Sequence, residues 1–403
     1  MTSRPFTVRL FNIVEPVNTF YRDLIPYWEA QGWQVKVIIS RAQYRLGRQT
    51  DWMGKNTKVY WTANLGQAMD SRFGKLIIMI AYVLSAVTNT LLGQSVDRNL
   101  FLTQPPLFYL WGYILKLVRN QSYFIVLMDI YPDIAIQAGL LKENSLLARF
   151  LSRLARFGLQ RADGIVVIGR YMRERVLNMG VCPERIHLIQ NWADEETIHP
   201  IPHINNTFRI AQGWLDKFVV LYSGNMGTAH YFEDLLELCR RLRSDPNIVF
   251  AFIGKGQRLK EIENFKKKYA LGNVVLMPFQ PENELVQSLG SGNIHFVSLR
   301  PEYSGLIVPS KFYGILAAGL PTVFQGSVQG EIAYVLKEYH VGKNVAHGDV
   351  EGLQTAILAY RNDPDMCRFQ GQEARSLAET TYRRQTALHK YGSLLCDGSW
   401  LLG

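Results

Sequence analysis

An α/β chain of two Rossmann-like, doubly wound domains facing a cleft is what this sequence predicts, on three observations. Short apolar, β-like runs alternate with helical patterns through the first half, the alternation breaks at an acidic, proline-bearing stretch, and it then restarts. A length of 403 residues fits two cores of roughly 200 residues better than one. The expected boundaries are residues 1–195 and 203–379, with a helix over about 380–403 packing back on the first domain.

The first domain opens with a strand over 6–14, a helix to about residue 31 stopped by Gly32, and a strand over 34–40, which is the start of a βαβ unit. Strands follow at 100–103, 123–129 and 164–168, helices at 106–119, 144–161 and 170–179, and a last strand at 185–190. Residues 191–202, with two prolines and three acidic residues, make the linker. In the second domain the strands are 218–223, 248–253, 274–277, 294–299 and 321–324. Helices are expected at 230–242, 257–269, 331–338 and 350–361, and mostly helical sequence runs over 363–395. No repeat of solenoid period is present.

Hydrophobic content of 48% and charged content of 19%, without a low-complexity tract, exclude a disordered chain. Cys182, Cys239, Cys367 and Cys396 are scattered without CxxC spacing, and residues 1–22 lack a secretory pattern, so a reducing, cytosolic location is expected. Net charge is +10, and residues 1–200 hold 23 Lys/Arg against 15 Asp/Glu. Within them Lys36, Arg41, Arg45, Arg48, Lys55, Lys58, Arg72 and Lys75 face only Asp51 and Asp70, next to the apolar stretch 76–92. Basic charge beside apolar surface points to an anionic membrane. Zinc-finger spacing, RRM aromatics and a basic heptad helix are all missing, so nucleic acid is not an expected partner. The stretch 76–92 fits a half-buried domain helix, an interfacial membrane helix or a short span, the last disfavoured by Ser85, Thr88, Asn89 and Thr90.

In open parallel sheets ligands bind beyond the C-terminal strand ends, so the loops after the second domain's strands carry the chemistry. They read Gly224-Asn225-Met226-Gly227, then Gly254-Lys255-Gly256, then Pro278-Phe279-Gln280, then 300–308, then 325–331. Gly224 and Gly227 would let a phosphate reach backbone N–H groups. Phe279 and Gln280 suit a base, by stacking and backbone bonds, unless Phe279 is core. The fourth loop, with Ser304, Gly305, Leu306, Ile307 and Val308, runs into Pro309-Ser310-Lys311. Gly305 permits close backbone approach, Pro309 suits a first helical turn, Ser310 can cap, and Lys311 adds a full positive charge where the helix dipole favours an anion. This suits the diphosphate of a nucleotide-activated sugar. Lys255, Arg258, Arg300 and Lys311 are the candidates to neutralise a departing nucleoside diphosphate, and Glu331 either complements a helix dipole or binds ribose hydroxyls.

In the first domain Asp129 ends an apolar strand, placing a carboxylate able to orient or deprotonate an acceptor hydroxyl, or else a cap ahead of Pro132. Glu15, before Pro16, is a second acceptor-side candidate. His199 and His203 are four apart, but Pro200 and Pro202 forbid the helix that would bring both rings to one metal, and HExxH spacing is absent. No tightly held metal or cofactor is expected.

The run Pro309-Ser310-Lys311-Phe312-Tyr313-Gly314-Ile315-Leu316-Ala317-Ala318-Gly319 resembles the donor-site signature of family 4 glycosyltransferases. Glu15-Pro16, Asp129-Ile130-Tyr131-Pro132-Asp133, Asn191-Trp192-Ala193-Asp194 and Tyr222-Ser223-Gly224-Asn225-Met226-Gly227 extend the resemblance to the colanic-acid, exopolysaccharide branch. The resemblance implies a GT-B fold, an acceptor-binding first domain and a second domain binding a UDP- or GDP-sugar as co-substrate. It also implies retention of configuration and an acceptor glycan on a polyprenyl diphosphate at the inner face of the cell membrane. Three departures stand out. Leu306 and Gly314 occupy the places of a glutamate pair whose second member binds ribose in many relatives, which leaves ribose to another group such as Glu331. The usual Arg and Lys after the first donor strand are missing, with Asn225 and Tyr231 near those positions, and Met128 stands where a His often precedes the acceptor-side Asp. A GT-B 2-epimerase and an inactive scaffold in a membrane complex are the alternatives.

Overall fold

Parallel strands separated by helices dominate the computed structural model, which describes residues 4–12, 19–40, 54–62 and 72–397. Seven strands form the first sheet: β1 (Thr7–Asn12), β2 (Gln34–Ser40), β3 (Thr57–Thr62), β4 (Arg98–Leu102), β5 (Ser122–Leu127), β6 (Gly164–Val167) and β7 (Ile186–Leu188). Their order is β3-β2-β1-β4-β5-β6-β7, and the described pairings are all parallel. The second sheet contains β8 (Phe218–Ser223), β9 (Ile248–Ile253), β10 (Val274–Met277), β11 (Ile294–Ser298), β12 (Thr322–Gln325) and β13 (Gly342–Val345), in the order β10-β9-β8-β11-β12-β13, again parallel. Strand order reverses at β1/β4 and at β8/β11, as a doubly wound sheet requires. Helices cover both faces of such a sheet, so central strands read as unbroken apolar runs. In β9, Ile-Val-Phe-Ala-Phe-Ile is buried at every position.

The chain divides into two compact units, Met1–Ile189 with Leu388–Gly403, and Gln190–Ala387. Residues 191–202 contain neither helix nor strand. The last helix, Arg384–Asp397, brings Tyr391 edge-on to Phe20 of the first unit at 5.0 Å.

Several expectations are corrected here. The strand expected at 123–129 ends at Leu127, which leaves Asp129 in the following loop. The helix expected over 106–119 starts at Leu110, because Leu107 takes left-handed backbone, φ 61, through which a right-handed helix does not run. Edge strands β3, whose apolar run is only Val59-Tyr60-Trp61, and β13, which has none, are not among the expected strands. Lys36, counted with the surface charges, is a β2 residue only 2% exposed, and its Nζ lies 3.4 Å from Gln94 Oε1. Arg41, Arg45, Arg48 and Glu15 lie outside the described residues. The apolar stretch belongs to the helix Arg72–Leu92, with Ile78, Tyr82 and Ala86 buried and Leu76, Ile80 and Leu84 exposed, so it is half-buried. No described helix is long and apolar enough to cross a membrane.

Candidate active site

Lys311 opens the seven-residue helix Lys311–Ala317 after β11. The residue as a whole is half-exposed, but its ammonium lies against the loop after β8: a Cβ built on Gly224 would meet Lys311 Cε and Nζ at 3.0 Å each. Nζ sits 3.7 Å from the centre of the Tyr222 ring and also donates to the Tyr222 hydroxyl, which in turn donates to Asn225 O at 2.7 Å. No carboxylate among the described residues pairs with it. Burial holds the lysine well below its ordinary pKa. A buried cation whose neighbours are a phenol, a ring and a glycine is electrostatically incomplete, and an anion would complete it.

The surrounding loops are cross-tied. His230 Nδ1 faces Ser298 O at 2.6 Å, and burial, reinforced by the Lys311 charge, pulls the imidazole down to about 3. The ring is therefore neutral at pH 7, with its proton on Nδ1 and Nε2 free to accept. Tyr231 N donates to Ser298 Oγ at 3.0 Å. Glu233, at the start of the helix Glu233–Arg241, accepts from Arg258 at 2.9 Å and Arg300 at 2.7 Å. Burial opposes ionisation of Glu233, but the Arg258 hydrogen bond and charge together with the backbone N–H groups of Phe232 and Glu233 outweigh it and hold the carboxyl below its ordinary range. Asp234 accepts from Gln325 Nε2 and Gly348 N, both at 2.6 Å, and from the Tyr231 hydroxyl at 3.1 Å. Loops after β8, β9, β11, β12 and β13 are thus joined by two carboxylates that the sequence reading passed over. An acidic pair in a first helical turn reads as dipole complementation, and burial of Asp234 becomes visible only in three dimensions.

The expected donor residues separate into groups. The N–H of Gly224 is taken by Ile253 O at 2.9 Å and that of Met226 by Lys255 O at 2.7 Å, so neither amide is available to a phosphate. The Met226 side chain is fully buried in the core. Asn225 is exposed, and Gly227 is half-buried beside it. Gly254 and Gly256 serve the packing of loop on loop, since a Cβ would lie 2.1 Å from Gly224 O in the first and 2.3 Å from Met226 O in the second. Leu306 and Ile307 donate their N–H groups to Tyr303 O, and the side chains of Leu306 and Val308 are buried. Ser310 is exposed and caps nothing, contrary to expectation: it is itself helical in backbone, a geometry that aims the hydroxyl away from the next N–H groups. Local positive charge therefore comes from Lys311 rather than from a capped dipole.

Phe279 is 45% exposed and so is not core; Lys255 Nζ lies 5.9 Å from its ring centre. Gln280 Nε2 bonds Pro278 O at 2.9 Å. Arg258 is consumed by Glu233 and Glu261, whereas Lys255 is exposed. Gly305 adopts φ 72, and Ser304 Oγ donates to Gln329 O at 2.5 Å, which draws the fourth loop to the fifth. Glu331, at the start of the helix Glu331–Tyr339, is buried.

In the first unit Asp129 is half-buried just beyond β5, and its Oδ1 is buried with no hydrogen-bond partner among the described residues. Burial pushes its carboxyl up, against a hydrogen bond from Thr103. It does not cap the helix Asp133–Gln137, whose N-cap is Pro132.

Comparison with known proteins places both halves. Residues 17–192 match the model of the glycosyl transferase 4-like domain, and residues 205–377 match that of the glycosyl transferases group 1. The chain is 26% identical to the "Probable glycosyltransferase WbjE" of Pseudomonas aeruginosa over 295 residues, 72% of each chain. It is also 26% identical to the "Putative colanic acid biosynthesis glycosyl transferase WcaI" of Escherichia coli K12 over 254 residues, 60% of each chain. Among solved structures, Anabaena HepE in complex with UDP superposes with a TM-score of 0.72 at 14% identity, over 97% of this chain and 99% of that one. Sucrose-phosphate synthase from Thermosynechococcus elongatus does so with 0.75 at 15%, over 96% and 98%. The fold is of the GT-B type, and the chain belongs to the family 4-like glycosyltransferases, which makes it an enzyme of glycosyl transfer.

Proposed function

We propose that this glycosyltransferase moves a sugar from a UDP- or GDP-sugar to a hydroxyl of a polyprenyl-diphosphate-linked glycan, in the synthesis of a bacterial cell-surface polysaccharide and with retention of configuration. The carrying observation is the buried Lys311 ammonium without a carboxylate partner among the described residues. A nucleoside diphosphate supplies the missing charge, and the charge on its oxygens grows as the glycosidic bond breaks. In this reading the second unit binds the donor. Lys311 holds the diphosphate, the exposed Phe279 and the half-buried Gln280 with Lys255 border the base, Gly227, Ser304 and Gly305 line the phosphate and sugar, and Glu331 reaches the ribose.

The first unit binds the acceptor, with Asp129 orienting its hydroxyl and Glu15 as a second carboxylate. The bond from the anomeric carbon to the diphosphate oxygen breaks with its electron pair going to the phosphate. The acceptor oxygen bonds to the same carbon on the same face, and its proton passes to the departing phosphate oxygen. Support comes from solved neighbours that hold UDP or UDP-glucose and from the colanic acid description of a relative. The acceptor's lipid would keep the enzyme peripheral on the cytoplasmic face of the membrane.

Calorimetry with UDP and GDP tests the donor site. One of the two should bind, and Lys311→Met should weaken that binding by at least about tenfold, the loss of one charge-assisted contact. Equal affinity in the variant would overturn the assignment, and sugar isomerised without any acceptor would indicate a 2-epimerase instead.

A further inference from the structure

Three helices of the first unit, Arg72–Leu92, Leu110–Arg119 and Leu146–Arg161, present large apolar side chains to the outside. Leu76, Ile80 and Leu84 recur every four residues on the first and are 46%, 49% and 62% exposed. Leu117 and Val118 are exposed on the second, and Leu146 and Phe150 on the third. Between the helices opens a pocket of about 640 Å³ whose wall, including Val83, Trp111, Ile114, Leu154 and Phe157, is almost wholly apolar. Single exposed leucines need no explanation; a face spread over three helices around a greasy pocket does.

Charge identifies what covers it. The three helices together carry eight Arg or Lys and not one Asp or Glu. Lys116 pairs with Asp163, and Arg119 holds the carbonyls at the end of Arg72–Leu92. Arg149, Arg153 and Arg156 are exposed along one helix, interleaved with Leu146 and Phe150, and among the described residues they make no ion pair. A second copy docking on the same face by a twofold axis would bring cation against cation. An anionic bilayer answers both features: arginines reach headgroups while the apolar side chains between them enter the acyl region.

We propose that this face is the membrane-docking surface of the enzyme, seated on an anionic leaflet with the end of one acyl chain in the pocket. It deepens the membrane part of the reading above and rests on it, but replaces the segment 36–75 as the main contact. Because no described helix can span, the contact is peripheral and salt-sensitive.

The full-length protein is sedimented with vesicles of phosphatidylethanolamine and phosphatidylglycerol, and with phosphatidylcholine alone. Wild type should partition to the anionic vesicles and be released by salt. Leu84→Glu/Leu117→Glu/Phe150→Glu should lose at least about tenfold in partitioning, and Arg149→Ala/Arg153→Ala/Arg156→Ala should lose the anionic preference. All six sites are exposed, and UDP affinity measured in parallel should be unchanged, so failure of the donor site would register separately. Acyl-brominated lipids should quench a part of the tryptophan fluorescence that Trp111→Phe removes. Equal partitioning of wild type and the glutamate variant would overturn the proposal, as would a dimer in light scattering that the glutamate variant dissolves.

Discussion

Lys311 bears an energetic burden in the unliganded protein, and its sign can be worked out. Burial lowers its pKa well below the ordinary lysine value. Below that lowered value the ammonium is charged in both folded and unfolded chains, and the full desolvation cost weakens the fold. As pH rises from the lowered value to the ordinary one, the unfolded chain binds the extra proton, so stability increases with pH. A bound diphosphate raises the lysine's pKa again. UDP binding on the alkaline side should therefore take up a proton, seen by calorimetry as a dependence of the apparent heat on the buffer's ionisation enthalpy. Lys311→Met should abolish both the uptake and the rise of stability with pH; the same buffer dependence in that variant would contradict the assignment of the proton to the buried Lys311 ammonium. The residue itself was legible in the sequence, since a lysine just after Pro-Ser at a loop-to-helix junction stands out. Its partner Tyr222, 89 positions away, was not. Nor was Glu233 as the shared partner of Arg258 and Arg300, because such pairings depend on which loops the sheet brings together.

Among the elements, strand–loop units separate glycines that packing requires from glycines that have room for a side chain. Gly254 has φ 143 and a Cβ position 2.1 Å from a backbone oxygen that cannot move away. Gly227 has only the flexible Asn225 side chain near its own, at 3.2 Å. Gly254→Ala should cost more than about 2 kcal/mol of stability by urea unfolding, whereas Gly227→Ala should leave stability nearly unchanged and weaken UDP. Reversal of that pattern would refute the division of labour between the two loops. In sequence the two glycines look alike. The same limit governs strands: β9 was legible as a continuous apolar run, while β3, with Lys58, and β13, Gly-Lys-Asn-Val, are edge strands paired on one side only. An edge needs no apolar run and tolerates lysine, so periodicity carries no signal there.

Across the whole molecule, Asp129 and Lys311 lie in different compact units, and in the proposed reading the acceptor and donor tasks divide between them. Donor affinity should then be independent of Asp129. Its buried Oδ1, without a hydrogen-bond partner among the described residues, fits the proposed role of receiving an outside hydroxyl, and burial raises its pKa. Transfer should fall away on the acid side at a pH above the ordinary carboxylate range, as the carboxylate that orients the hydroxyl takes up a proton. Asp129→Asn should lower kcat by about a hundredfold or more and remove that acid limb, with the Kd for UDP unchanged. If the asparagine variant instead lost UDP binding in proportion to activity, Asp129 would be a structural support of the whole enzyme, and the separation of donor and acceptor work between the units would fail with it.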